Sequence, residues 1–298
     1  MRERIRTLAG KLWWLITTPV RALLWPYRKF RAFLDQEPDD SSTADVIARA
    51  FEEPMLLVDH LEDLRRHLFR ALIVLIGMTV LSFAFASRIL NFLAQPVGGL
   101  EALQAIEVTE SIGTFMRVSL MTGFVLAFPY ILFEILAFIN PGLKRSERRL
   151  MLFAIPFSFL LFAGGILFTY FIVLPAALSF LLNFMGVTTV PRPSNYVRFV
   201  TSLMFWIGMA FQFPLVIYVL AGLGLVKARS LARNWRMALV GIAVLAAAAT
   251  PTVDPVNMAL VMAPMIVLYF VSILLAALAG SSRRRRAARE AQPADTNL

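Results

Sequence analysis

Four long stretches of the chain, Leu150 to Pro191, Ser202 to Val226, Met237 to Val253 and Pro255 to Ser282, contain no Asp, Glu, Lys or Arg. A helix needs about 20 apolar residues to cross the hydrocarbon of a bilayer. Stretches of this kind leave two architectures, helices or a closed barrel, because in lipid every backbone N–H and C=O must be paired within the protein. The short segments of alternating polarity that build a barrel are absent. The pattern therefore specifies an all-α polytopic membrane protein. Composition agrees: 59% of the 298 residues are hydrophobic and only 16% charged, with a mean hydropathy of +0.71, too little charge to keep a soluble domain dispersed.

Around these stretches the chain divides into four parts. Residues 1–34 mix arginines and lysines with Trp13, Trp14, Trp25, Tyr27 and Phe30, and Ile5, Leu8, Leu12 and Ile16 recur at helical spacing. That is the pattern of a basic amphipathic helix lying on an anionic leaflet. Residues 35–55 form a polar linker, residues 56–277 a core of spans, and residues 278–298 a basic tail. Six spans are expected, at about 70–87, 112–140, 150–175, 199–223, 237–249 and 256–276. The third is expected to kink or stop at Pro175, with a capping loop from Ala177 to Pro193. The fifth is short for a full crossing, so its ends lie in the interface or the bilayer thins there.

Loop charge orients the bundle. Arg65, Arg66 and Arg70 precede the first span, and Lys144, Arg145, Arg148 and Arg149 follow the second. Lys227, Arg229, Arg233 and Arg236 follow the fourth, and five more arginines follow the sixth. The loops on the other side carry only Arg88, Arg192 and Arg198. Positive charge stays on the cytoplasmic side, which places both termini in the cytoplasm. The net charge of +10 thus serves topology and contact with membrane lipids, and no nucleic-acid partner is needed to explain it.

The chain has no cysteine and two histidines, His60 and His67, seven residues apart on one helical face. A metal site wants more ligands, and the pair reads as a polar face at the membrane boundary. No phosphate-binding glycine loop, His-Glu-x-x-His or Gly-x-Ser-x-Gly occurs, so neither an enzyme nor a cofactor is expected. What remains are polar groups in unusual places. Asp63 and Glu147 lie among arginines at the cytoplasmic face. They either neutralise those neighbours, for under about 1 kcal/mol a pair, or together receive two guanidinium groups, whose forked contact lysine cannot reproduce. Within the spans, Arg117, Glu134 and Gln212 are the polar exceptions. Arg117 and Glu134 stand toward opposite ends of the second span, each in reach of its own interface. Gln212 is deeper, and either makes an interhelical hydrogen bond or serves function directly.

Several blocks carry a resemblance. They are Asp59-His60-Leu61-Glu62-Asp63-Leu64-Arg65-Arg66, then Phe138-Ile139-Asn140-Pro141-Gly142-Leu143 with Glu147-Arg148-Arg149. Phe168-Thr169-Tyr170-Phe171 with Pro175, Phe211-Gln212-Phe213-Pro214, and Thr250-Pro251 before Asp254 follow in order. This ordered set resembles the TatC family of the twin-arginine protein translocase, over about Leu56 to Ala277. The resemblance implies a concave six-span receptor in the plasma membrane that binds signal peptides with paired arginines and helps export folded proteins. It implies TatA-like and TatB-like single-span partners, a homo-oligomer, and the proton-motive force as the drive. By position, Asp63 and Glu147 would be the anionic partners of the arginine pair. Phe138, Leu143 and Arg145 would shape the same site, Glu134 and Gln212 would make polar contacts within the membrane, and Pro96 and Asp254 would belong to structural loops. The chain departs from the family at Gln212, where glutamate is usual, and at Phe270, where glutamate often follows Leu-Tyr. The rivals are a small-solute secondary transporter, which predicts inverted repeats and charged midplane residues, and a scaffold with no ligand of its own.

Overall fold

The structure, a computed structural model, describes residues 54–139, 145–182, 190–250 and 255–290, with the backbone alone for 54–57, 59, 145–153 and 282–290. The expected amphipathic extension 1–34, nearly all of the linker 35–55, and the end of the basic tail lie outside the described residues, as do Leu143 and Asp254.

The described elements are all helical. Helix α1 spans Pro54–Phe83, α2 spans Ala86–Ala94, and α3 spans Glu110–Ile139. Helix α4, Arg145–Phe168, passes through a π turn, Thr169–Val173, into α5, Leu174–Leu182. Then come α6, Pro193–Ala210, α7, Phe213–Leu223, and the short α8, Ala228–Arg233. Helix α9, Trp235–Ala249, and α10, Pro255–Glu290, complete the order. Among the described residues, five segments are long and apolar enough to cross a membrane, and α9 is a shorter apolar helix of 15 residues. α1 is continuous from Pro54, so Asp63 and the arginines expected ahead of the first span lie on the same helix as that span. α10 likewise runs without a break past residue 277 to Glu290.

One expectation needs correction. The third span neither stops nor turns into a loop at Pro175. It continues helically to Leu182, so residues 177–182 are helix rather than cap. The physical reason is the π turn, where Leu174 N–H reaches back to the Thr169 carbonyl. The wider turn spares the carbonyl four residues back from the clash a proline ring would otherwise cause. The fourth span lies where expected, within Pro193–Leu223, and is built of two helices. It breaks at Phe211–Gln212 because Pro214, at the start of α7, offers no N–H to continue the ladder.

The core gathers around α6. Val197, Val200, Leu203 and Ile207 are buried with Val118 of α3, Tyr170 and Leu174 of the third span, Ala246 of α9 and Val261 of α10. α1 packs along α3, while α10 packs on α7 and α9. Two crossings are close enough to exclude a side chain. A Cβ on Gly123 would stand 2.5 Å from the Thr79 Cα, and one on Gly165 would stand 2.9 Å from the Gly208 Cα. Lipid removes the hydrophobic drive between helices, so such backbone contacts carry association instead. Large apolar side chains accordingly face outward: Leu68, Ile73, Ile76 and Val80 on α1, and Val267, Leu274 and Leu278 on α10, are exposed.

Candidate functional site

Three polar clusters are built on this frame. The first joins the start of α1 to the end of α3. The His60 ring stacks on Phe138 with centroids 4.4 Å apart, and His67 meets the same ring edge-on at 6.3 Å. One aromatic ring thus fastens two turns of α1 to the last turn of α3. Asp63 lies between those histidines on α1. Its carboxylate is exposed and only loosely engaged, 3.8 Å from Arg66, which gives its closer contact of 2.7 Å to Glu62. Both are exposed pairs, worth little to stability and easily exchanged for another cation. Glu147 and Arg145 stand in the first turn of α4, a short connection beyond Phe138.

Below this rim, Glu134 corrects the expectation that it reaches out to its own interface. It is 1% exposed. Tyr130 donates to its Oε1 at 2.5 Å, and His67 Nδ1 lies 2.5 Å from its Oε2. A carboxylate held away from water requires such partners. This pairing was missed from sequence, although the signal was there. Tyr130 and Glu134 are four residues apart and share a helix face, and a carboxylate amid apolar residues demands a donor on a neighbouring helix.

The second cluster is at the break between α6 and α7. The Gln212 amide nitrogen donates to the Ser158 carbonyl at 3.1 Å, and the Ser158 hydroxyl donates to the Gln212 amide oxygen. The interhelical reading of Gln212 is therefore the one the geometry realises, with both ends of the amide used.

The third cluster closes the opposite end of the bundle. Pro96 sits in a 3-10 turn, Gln95–Val97, followed by Gly98 and Gly99, both at φ 97°. L-residues with a Cβ rarely adopt that conformation. The Tyr196 hydroxyl donates to the Leu93 carbonyl at 2.5 Å, and the Tyr170 hydroxyl to the Phe92 carbonyl at 2.8 Å. Arg192, just ahead of α6, donates through Nε to Glu110 at 2.8 Å and through Nη2 to Glu107 at 3.0 Å. Hydrogen bonds to Glu110, then to Glu107, raise the Arg192 guanidinium above its ordinary pKa. Arg117, expected near an interface, lines a cavity at this end.

Comparison with known proteins supplies the family. The profile described as Sec-independent protein translocase protein (TatC) matches residues 59–264. The TatC protein of Carboxydothermus hydrogenoformans is 36% identical over 228 residues, covering 76% of this chain and 94% of that protein. The chloroplastic TATC of Pisum sativum is 36% identical over 233 residues, covering 77% of this chain and 66% of that protein. A crystal structure of a twin arginine translocase receptor, TatC, superposes with a TM-score of 0.67 at 34% identity, covering 74% of this chain and 99% of that one. With a profile match spanning most of its length, a bacterial relative matched over 94% of its own length, and the same helical frame, this chain belongs to the TatC family of Sec-independent protein translocase proteins.

Proposed function

We propose that the rim formed by the start of α1, the end of α3 and the start of α4 receives the paired arginines of a signal peptide. The chain is a multi-pass membrane protein of the protein-translocation apparatus, not a small-solute transporter. The observation that carries the site is the His60–Phe138 stack. It sets the turn bearing Asp63 against the end of α3, from which the chain leads to Glu147. Two carboxylates at one rim suit two guanidinium forks, and Asp63 is exposed enough to exchange its weak internal partner for a peptide arginine. Phe138, Leu143 and Arg145 shape the approach. Loop charge supports a cytoplasmic position for this rim and both termini. The chloroplastic relatives show that the host membrane differs among members; for this chain the plasma membrane is our reading. TatA-like and TatB-like subunits, a second copy of this chain, and the proton-motive force complete the proposal, with Glu134 and Gln212 as polar contacts inside the membrane.

The test is binding of a twin-arginine signal peptide and a twin-lysine control to the full chain in detergent. Asp63→Ala and Glu147→Ala should each weaken the arginine peptide on the order of ten-fold or more, the scale of a lost charge-assisted hydrogen bond. The weaker lysine peptide should change little. Equal affinity for both peptides in all three proteins would move the site elsewhere.

A further inference from the structure

The end of the bundle away from the rim holds a cavity of about 480 Å³ between the first turns of α3 and α6. Its lining includes Arg117 and Arg198 together with Glu110, Thr114 and Arg192. Arg192 is committed to Glu107 and Glu110. Among the described residues, no carboxylate pairs with Arg117 or Arg198, which point two free guanidinium groups at one space. A second observation is independent of charge. Thr114 is 3% exposed, and its hydroxyl has no hydrogen-bond partner. Glu110 Oε2, also buried, has none either. Leaving a buried polar atom without a partner is costly, so the site is built for a group that brings both acceptors and a donor.

The surroundings identify that group. Ile112, Met116 and Leu120, beside Arg117 on α3, are exposed apolar side chains, as a lipid-facing helix surface requires. Deeper along the same two helices a second cavity of about 200 Å³ is lined mainly by apolar residues, among them Met121, Val125 and Met204. Cations standing just above apolar surface occupy the depth of lipid phosphates. We propose that this cavity binds the headgroup of a membrane phospholipid. The phosphodiester accepts from Arg117, Arg198 and the Thr114 hydroxyl. A hydroxyl or ammonium group further along the headgroup donates to Glu110 Oε2. The bound lipid fills the gap between α3 and α6 on the side of the membrane opposite the rim.

The experiment is native mass spectrometry of the full chain in detergent, titrated separately with dimyristoyl phosphatidylglycerol, dimyristoylglycerol and inorganic phosphate. Wild type should keep one phosphatidylglycerol under activation that strips the rest, and should not keep dimyristoylglycerol. Arg117→Gln with Arg198→Gln should weaken that lipid at least ten-fold, and Thr114→Val should weaken it several-fold without removing any charge. Arg88→Gln, an exposed arginine outside the cavity, should leave it unchanged, and thermal unfolding checks that each variant is folded. Equal retention by wild type and the double variant would overturn the proposal. So would displacement of the lipid by millimolar inorganic phosphate, which would make the cavity a site for the free ion.

Discussion

His67 on α1 and Glu134 on α3 meet at 2.5 Å, 67 residues apart in sequence, and Tyr130 occupies the other oxygen of the same carboxylate. Removing one partner of a buried pair leaves the other stranded, which costs more than removing both. His67→Ala should therefore lower the unfolding temperature more than His67→Ala combined with Glu134→Gln. A double-mutant cycle in detergent should return a coupling of about 1–3 kcal/mol. Additive losses would show that the two residues do not act together.

Gly123 should tolerate no side chain. The Cβ of Gly123→Ala would collide with the Thr79 backbone, and backbone cannot swing aside as a side-chain tip can. Forcing α1 away from α3 should cost about 1–3 kcal/mol. Gly77→Ala on α1, where nothing lies within 4 Å, should be neutral or slightly stabilising, since alanine is the better helix former. Thermal unfolding of the two variants side by side decides it.

Gln212 should be replaceable by neither an apolar nor an acidic residue at no cost. Gln212→Leu loses both contacts to Ser158, for about 0.6–2 kcal/mol in a membrane setting. Gln212→Glu keeps an acceptor for the Ser158 hydroxyl but turns the donor to the Ser158 carbonyl into a second oxygen. Both variants should unfold at lower temperature, and Gln212→Glu should regain little when Ser158 is changed to Ala, because the backbone carbonyl remains.

Arg192 should behave as a fastener rather than a surface charge. It joins two carboxylates through different nitrogens of one fork, which the single ammonium of Arg192→Lys cannot span equally. Arg192→Ala strands the buried Glu110 carboxylate, for about 1–3 kcal/mol. Limited proteolysis should then cut the 103–109 connection faster, in the order wild type, Lys, Ala.

How far these features were legible depends on the kind of information each requires. Span positions follow from local composition, since only uncharged helices survive in lipid, and the charge-free blocks mark four of them directly. The depth of Gln212 was readable for the same reason. Pro175 misled because a proline reads as a stop only where the backbone stays strictly α-helical, and nothing local announces the widened turn ahead of it. The rim residues were visible as carboxylates among arginines, but the His60–Phe138 stack depends on α1 and α3 lying antiparallel, which no single segment encodes. Glu134 could have been paired by asking what donor it needs, whereas the Tyr170 and Tyr196 bonds to the α2 carbonyls could not.

The widened turn at Thr169–Val173 also fixes where this gene can change length. Losing one residue from a membrane helix rotates everything beyond it by about 100°, which swaps lipid-facing and buried positions. Here the ladder already holds one residue more than an α-helix needs. A single-codon deletion within these five positions would restore the ordinary spacing and leave Leu174, Ala177 and Leu178 facing the core, whereas the same deletion well ahead of the turn would turn them out. Natural members and engineered libraries should therefore show one-residue gaps at this point in the third span, and the rest of that span should keep its length.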